Sequence, residues 1–232
     1  MRIHTFVVGV VLAVALFLFA QRHPDVQQQT GFHGILDLTH TSGSLKNAAL
    51  LDTRIDPPAH LNRAMWTADQ IPPERLIAPL VVLDVRSSVA DNPDYQVRVE
   101  DIVKWEQANG QIPLGSVVMA RTGWDARWVS PATYRNADSR GVLHYPGYSE
   151  DAAKFLVEAR NVMGLGIDTP SVDAGSSHRL PVEQYTLAHS VYHLENVANL
   201  DRTPASGSEV VVAPMKLEAS NHSPVRIFAL VR

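Results

Sequence analysis

Apolar positions along the chain fall into two periods. Apolar runs at 79–85 and 163–168 read as buried strands, because a strand covered on both sides needs no polar alternation, and 115–124 reads as a strand running into a Gly-Trp loop. Further strand-like runs lie at 34–40, 193–197, 209–213 and 225–230. Between them, Ile102, Trp105 and Ala108 recur at helical spacing, Glu100 and Asp101 suit a first turn, and Gly110 can close the last, which predicts a helix over 99–109. Ser149 is placed to cap a second helix running to Arg160, with Glu150 and Asp151 at its positive end and Ala152, Phe155, Leu156 and Ala159 along one face. A third helical stretch is expected near 182–188, and 125–148 reads as loop-rich. Strands interleaved with two or three helices predict a mixed α/β domain with a curved or barrel-like sheet.

The first 20 residues break this pattern. Arg2 and His4 precede an unbroken apolar run from Thr5 to Ala20, followed by Gln21, Arg22, His23 and Pro24. The run is short of the ~20 apolar residues a spanning helix needs. A basic start, a short apolar stretch and a small residue at Ala20 predict a signal peptide over 1–20 and export to the periplasm or medium. An uncleaved single-pass membrane anchor through 5–20 is the alternative. Residues 21–33 read as a polar tail and 34–232 as the folded domain, long enough for one sizeable core.

Composition narrows the chemistry. The chain has 232 residues, 45% hydrophobic, with a formal net charge of -4 and no basic stripe, which argues against nucleic acid as a partner. Cysteine is absent, which excludes disulfides, thiolate ligands and a cysteine nucleophile.

The candidate chemistry centres on residues 52–60, where Asp56 and His60 flank Pro57 and Pro58. A double proline disfavours a helix and pushes the preceding residues toward extended geometry. On a continuing strand Asp56, Pro58 and His60 would share one face. A carboxylate and an imidazole held there are the parts of a metal site or an acid–base pair.

Several blocks together resemble the metal-dependent cyclase-like amidohydrolases, which include bacterial kynurenine formamidase and isatin hydrolase. The blocks are Asp37-Leu38-Thr39-His40, Asp56-Pro57-Pro58-Ala59-His60, Arg121-Thr122-Gly123-Trp124, the run from Gly166 to Asp173, the run from Leu194 to Leu200, and Pro224-Val225-Arg226. The resemblance implies the swivelling β/β/α cyclase-like fold, a homo-oligomer, and a metal-activated water that opens a small amide, formamide or lactam. In the family's opening motif two early histidines and the aspartate bind metal and the last histidine moves protons. Here Asp56, His60 and Glu195 match, while the early histidines fall on Leu50 and Arg54 and a later one on Glu183.

Leucine offers no lone pair and arginine is a permanent cation with donors only, so the family's first metal position is expected to be absent. The resemblance leaves Asp56, Glu195 and Glu183 as ligands for one divalent ion, Zn or Mn, with His60 as the catalytic proton carrier. Arg54 is expected to pair with Asp56 or Glu195, or to bind an anionic substrate group. Trp124 is a candidate wall for an aromatic substrate. His193, two residues before Glu195, would share its face on a strand and is a further candidate ligand. The competing reading is an exported descendant that has lost catalysis and binds a small molecule.

Overall fold

The computed structural model describes residues 31–41 and 52–232; the apolar run at 5–20 and Leu50 lie outside the described residues. The strands are β1 (Gly34–Asp37), β2 (Arg54–Asp56), β3 (Ile77–Asp84), β4 (Gln96–Val97), β5 (Val117–Arg121), β6 (Gly147–Tyr148), β7 (Gly164–Ile167), β8 (Tyr192–Glu195), β9 (Ser208–Pro214) and β10 (Ser223–Val231). The helices are α1 (Arg86–Val89), α2 (Val99–Asn109), α3 (Pro131–Arg135), α4 (Glu150–Arg160) and α5 (Pro181–Ala188).

Helix α2 has the expected bounds and ends at Gly110 with φ 87°. Helix α4 begins at the expected cap: the Ser149 side chain accepts from the Ala152 N–H. The stretch 125–148 carries more structure than expected, including α3 and the two-residue β6, which pairs parallel with β4.

Strands β10, β2, β8, β7, β5, β3 and β9 neighbour one another in that order, and β9 returns to β10, which closes a seven-stranded ring with β1 added beside β10. The β3–β5, β5–β7 and β7–β8 pairs are parallel and the rest of the ring is antiparallel. Closure removes the open edges that an exposed sheet would present.

The pleat sorts the core into two layers. Leu80, Val82, Val117, Met119, Leu194, Val210, Val212, Ile227 and Ile55 fill the barrel. Val81, Leu83, Val118, Ala120, Leu165 and Ile167 face the other way, against Ile102 and Trp105 of α2 and Ala152, Ala153 and Leu156 of α4. Both faces of β3, β5 and β7 are therefore covered, which is why their sequences are apolar throughout.

Candidate ligand site

Because Ile55 points into the barrel, its neighbours Arg54 and Asp56 point outward. Strand β2 runs antiparallel to β8 with Arg54 opposite Glu195 and Asp56 opposite His193, so these four side chains share the outer face of the wall. The register is pinned from one end by Asn196, at φ 55°. Its Nδ2 donates to the Asp52 carbonyl at 2.8 Å, its Oδ1 accepts from the Tyr134 hydroxyl at 2.9 Å, and the Thr53 hydroxyl donates to its carbonyl at 2.7 Å.

The expected extended run stops at Asp56. Pro58–His60 forms a 3-10 turn, so Asp56, Pro58 and His60 do not lie along one strand face. The turn nonetheless brings His60 Nδ1 to 3.7 Å from Asp56 Oδ1. That nitrogen lies 3.0 Å from the Asn221 carbonyl. A carbonyl only accepts, so Nδ1 is the donor in this contact.

Arg54 sits at the centre. Its Nη2 pairs with Glu195 Oε2 and donates to the Pro170 carbonyl at 3.0 Å, and its Nε lies 3.3 Å from Asp56 Oδ2. Burial works against the guanidinium's charge, but the carboxylates of Glu195 and Asp56 outweigh it and hold its pKa above the ordinary arginine range. Burial pushes the fully buried Glu195 carboxyl up, and Arg54 pulls it back.

Glu183 reaches the cluster from α5. Two backbone amides at the start of that helix, Val182 and Glu183, donate to Asp173 at 3.0 and 2.9 Å, so a loop carboxylate caps the helix that carries Glu183. Glu183 Oε1 accepts from the Ser171 hydroxyl at 2.9 Å, and burial raises its pKa. His193 is fully buried, with Nε2 2.5 Å from Thr186 Oγ1 on α5, and burial holds its pKa down at about 3.

The structure thus brings Asp56, Glu183 and Glu195 together, but around a guanidinium and not as an open donor set. Arg54 engages one oxygen of Asp56 and one of Glu195, Val172 N donates to the other Glu195 oxygen, and Ser171 holds one of Glu183. Among the described residues, no group of three or more histidine or carboxylate side chains is arranged to hold a metal ion. A fixed positive charge at the centre repels a divalent ion, so the residues in this arrangement do not fit one. The expected set of Asp56, Glu195 and Glu183 is thus together in space, with Arg54 engaging an oxygen of Asp56 and one of Glu195.

Trp124, the expected substrate wall, lies in the protein interior. It is 2% exposed, donates from Nε1 to the Tyr134 carbonyl at 2.8 Å, and packs with Tyr134 and Tyr145 in a small aromatic cluster. Beyond the expected site set, Pro170, Ser171, Asp173 and Thr186 hold the charged groups, and the charges of Glu195, Arg54 and Glu183 act on Tyr145. For Asp173 the available signal is its place, with Asp168, at the end of a strand, where catalytic groups often lie. A surface cleft of about 310 Å³ lined by Val82, Asp84, Lys104 and Trp105 among others shares no residue with this site.

A closed mixed barrel of this order is the cyclase-like fold. The structure of isatin hydrolase A from Labrenzia aggregata, bound to benzyl benzoate, superposes with a TM-score of 0.77 at 28% identity, covering 89% of this chain and 96% of that one. An isatin hydrolase bound to the product analogue thioisatinate gives 0.78 at 25% identity, covering 100% and 99%. The Cyclase family model matches residues 36–174, more than half of the chain, and the chain belongs to the Cyclase family. Among curated relatives, isatin hydrolase from Roseibium aggregatum is 36% identical over 167 residues, which span 70% of this chain and 63% of that protein. Kynurenine formamidase from Salinibacter ruber is 26% identical over 184 residues, 79% of this chain and 77% of that one.

Proposed function

We propose that this chain is a small-molecule-binding member of the Cyclase family, in which Arg54 fills the charge role of a metal ion and metal-dependent hydrolysis has been lost. The observation that carries this reading is the guanidinium held between Glu195 and Asp56. Relatives named as isatin hydrolase and kynurenine formamidase support a small amide, formamide or lactam as the class of ligand. Access is from the side where Arg54 and His60 are partly exposed, 21% and 29% of their side chains. Export by the segment 1–20 and assembly into a homo-oligomer belong to the same proposal; cell fractionation and light scattering check them.

Elemental analysis and isatin and aryl-formamide hydrolysis assays on purified protein test the reading. The expected result is protein without bound metal and without turnover. A second reading is favoured by Asp56 Oδ1, which has no hydrogen bond and faces His60. There the chain is a metal-dependent amide hydrolase with Arg54 displaced and His60 carrying the proton. About one Zn or Mn per chain, with chelator-sensitive turnover lost in His60→Ala, would establish it.

A further inference from the structure

Which chemistry fits the site follows from the hydrogen-bonding atoms left over, given the reading that no metal occupies it. Asp56 is 1% exposed and its Oδ1 has no hydrogen bond. His193, directly opposite on β8, is fully buried and its Nδ1 also has none. The proton inventory makes that nitrogen an acceptor. The Thr186 hydroxyl has one proton and donates it to the Val182 carbonyl at 2.7 Å, so at the 2.5 Å contact with His193 the proton is on Nε2. That leaves Nδ1 as the unpaired ring nitrogen.

Close by, His60 donates from Nδ1 to the Asn221 carbonyl, which leaves Nε2 outside that bond. Glu183 has only Oε1 engaged, by Ser171. Arg54 spends Nε and Nη2 on Asp56, Glu195 and Pro170, and the carboxylates around it outnumber it three to one. Two buried atoms without a hydrogen bond thus stand at opposed positions of β2 and β8, beside three carboxyl groups and one guanidinium. Buried acceptors without donors are costly, and the missing partner must supply N–H or O–H groups.

We propose that the site takes the ammonium head of a small primary amine. Its N–H groups are donated to Asp56 Oδ1 and His193 Nδ1, and its substituent leaves past His60 and Arg54. An ammonium supplies three donors and one positive charge, which suits the orphaned acceptors and a site where three carboxyl groups surround one guanidinium. The relatives' neutral amide substrates would supply the donor without the charge.

Calorimetric titration and thermal shift of the full chain with benzylamine, with benzyl alcohol of like shape, and with Mn²⁺ or Zn²⁺ form the test. Benzylamine is expected to bind and to raise the melting temperature, benzyl alcohol to do neither, and the metals to compete with nothing. Asp56→Asn and Glu183→Gln are each expected to weaken benzylamine by about tenfold or more, the loss of a charge-assisted hydrogen bond. Glu183→Gln keeps its shape and its bond to Ser171, so it reports even where Asp56→Asn folds poorly. Equal binding of benzyl alcohol, or no response to any amine because an internal water satisfies both acceptors, overturns the ammonium site while leaving the metal-free reading in place. Binding of Mn²⁺ or Zn²⁺ that excludes benzylamine overturns both.

Discussion

Arg54 decides the chemistry of this chain, since one side chain converts a carboxylate cluster into an ion-paired unit. Taking Glu195 and Asp56 out of water is costly, and the guanidinium offsets that cost only while it stays paired to both. Removing it leaves two buried carboxylates uncompensated. Arg54→Met is therefore expected to destabilise the fold by about 3–5 kcal/mol in urea denaturation at neutral pH. A change below about 1 kcal/mol would show that the carboxylates do not depend on it. A smaller effect belongs to Tyr134→Phe, which removes the donor to Asn196 Oδ1 and the Asp168 carbonyl and is expected to cost about 1–3 kcal/mol in the same experiment.

His40 makes the residue scale pH-dependent. Its ring stacks on Trp128 at 3.9 Å, and burial lowers its pKa from 6.5 to about 4. The folded state thus holds it neutral where the unfolded chain would take a proton. Its contribution to stability is complete above pH 6.5 and is lost as the pH falls toward 4. Comparing urea midpoints at pH 7 and pH 5, His40→Gln is expected to lose less stability on acidification than the parent chain. An identical loss in both would remove His40 from the account.

At the scale of elements, the site depends on how the chain brings α5 to the β2–β8 wall. Asp173 is the connection, capping α5 while its neighbour Val172 accepts from Tyr148 N of β6 at 2.7 Å. Gly147 of β6 has no room for a side chain: a Cβ there would stand 2.3 Å from Ala174 N and 2.4 Å from the Asp173 carbonyl carbon. Backbone on backbone cannot rotate away, so the Asp173 segment would have to move and carry the cap of α5 with it. Gly147→Ala is expected to lower the melting temperature strongly and to weaken ligand binding through displaced Glu183. Unchanged stability would show that this contact is slack.

How much of this was legible in the sequence divides along contact range. Helix α2 and the Ser149 cap of α4 were readable to the residue because the determining groups are neighbours in the chain. The apolar runs of β3, β5 and β7 were readable because both faces are covered. The pleat beyond Asp56 was misjudged: the double proline that disfavours an α-helix suits a 3-10 turn equally well. Arg54 as a partner of Asp56 and Glu195 followed from charge, whereas its place in the middle of the set did not. That depends on the register of β2 against β8, fixed by Asn196 bonding to Asp52 across 144 residues. The Asn221 carbonyl that orients His60, 161 residues away, left no trace in the pattern at all.

For the whole molecule, ring closure couples these parts. Strand β10 pairs with β2 and β9, and β9 with β3, so neither half of the barrel is complete without the other. Unfolding is expected in one transition, with circular dichroism and tryptophan fluorescence midpoints coinciding; separated midpoints would contradict closure. The described residues thus keep the family fold, with Arg54 paired to Glu195 and Asp56 at the site. The most direct measurement is titration of chelator-treated protein with Zn²⁺ and Mn²⁺, in the parent chain and in Arg54→His. The parent is expected to bind neither ion, and the variant, which replaces the central cation by a lone pair beside Asp56 and Glu195, is expected to gain binding. Stoichiometric metal binding by the parent chain would contradict the claim that Arg54 stands in for the metal.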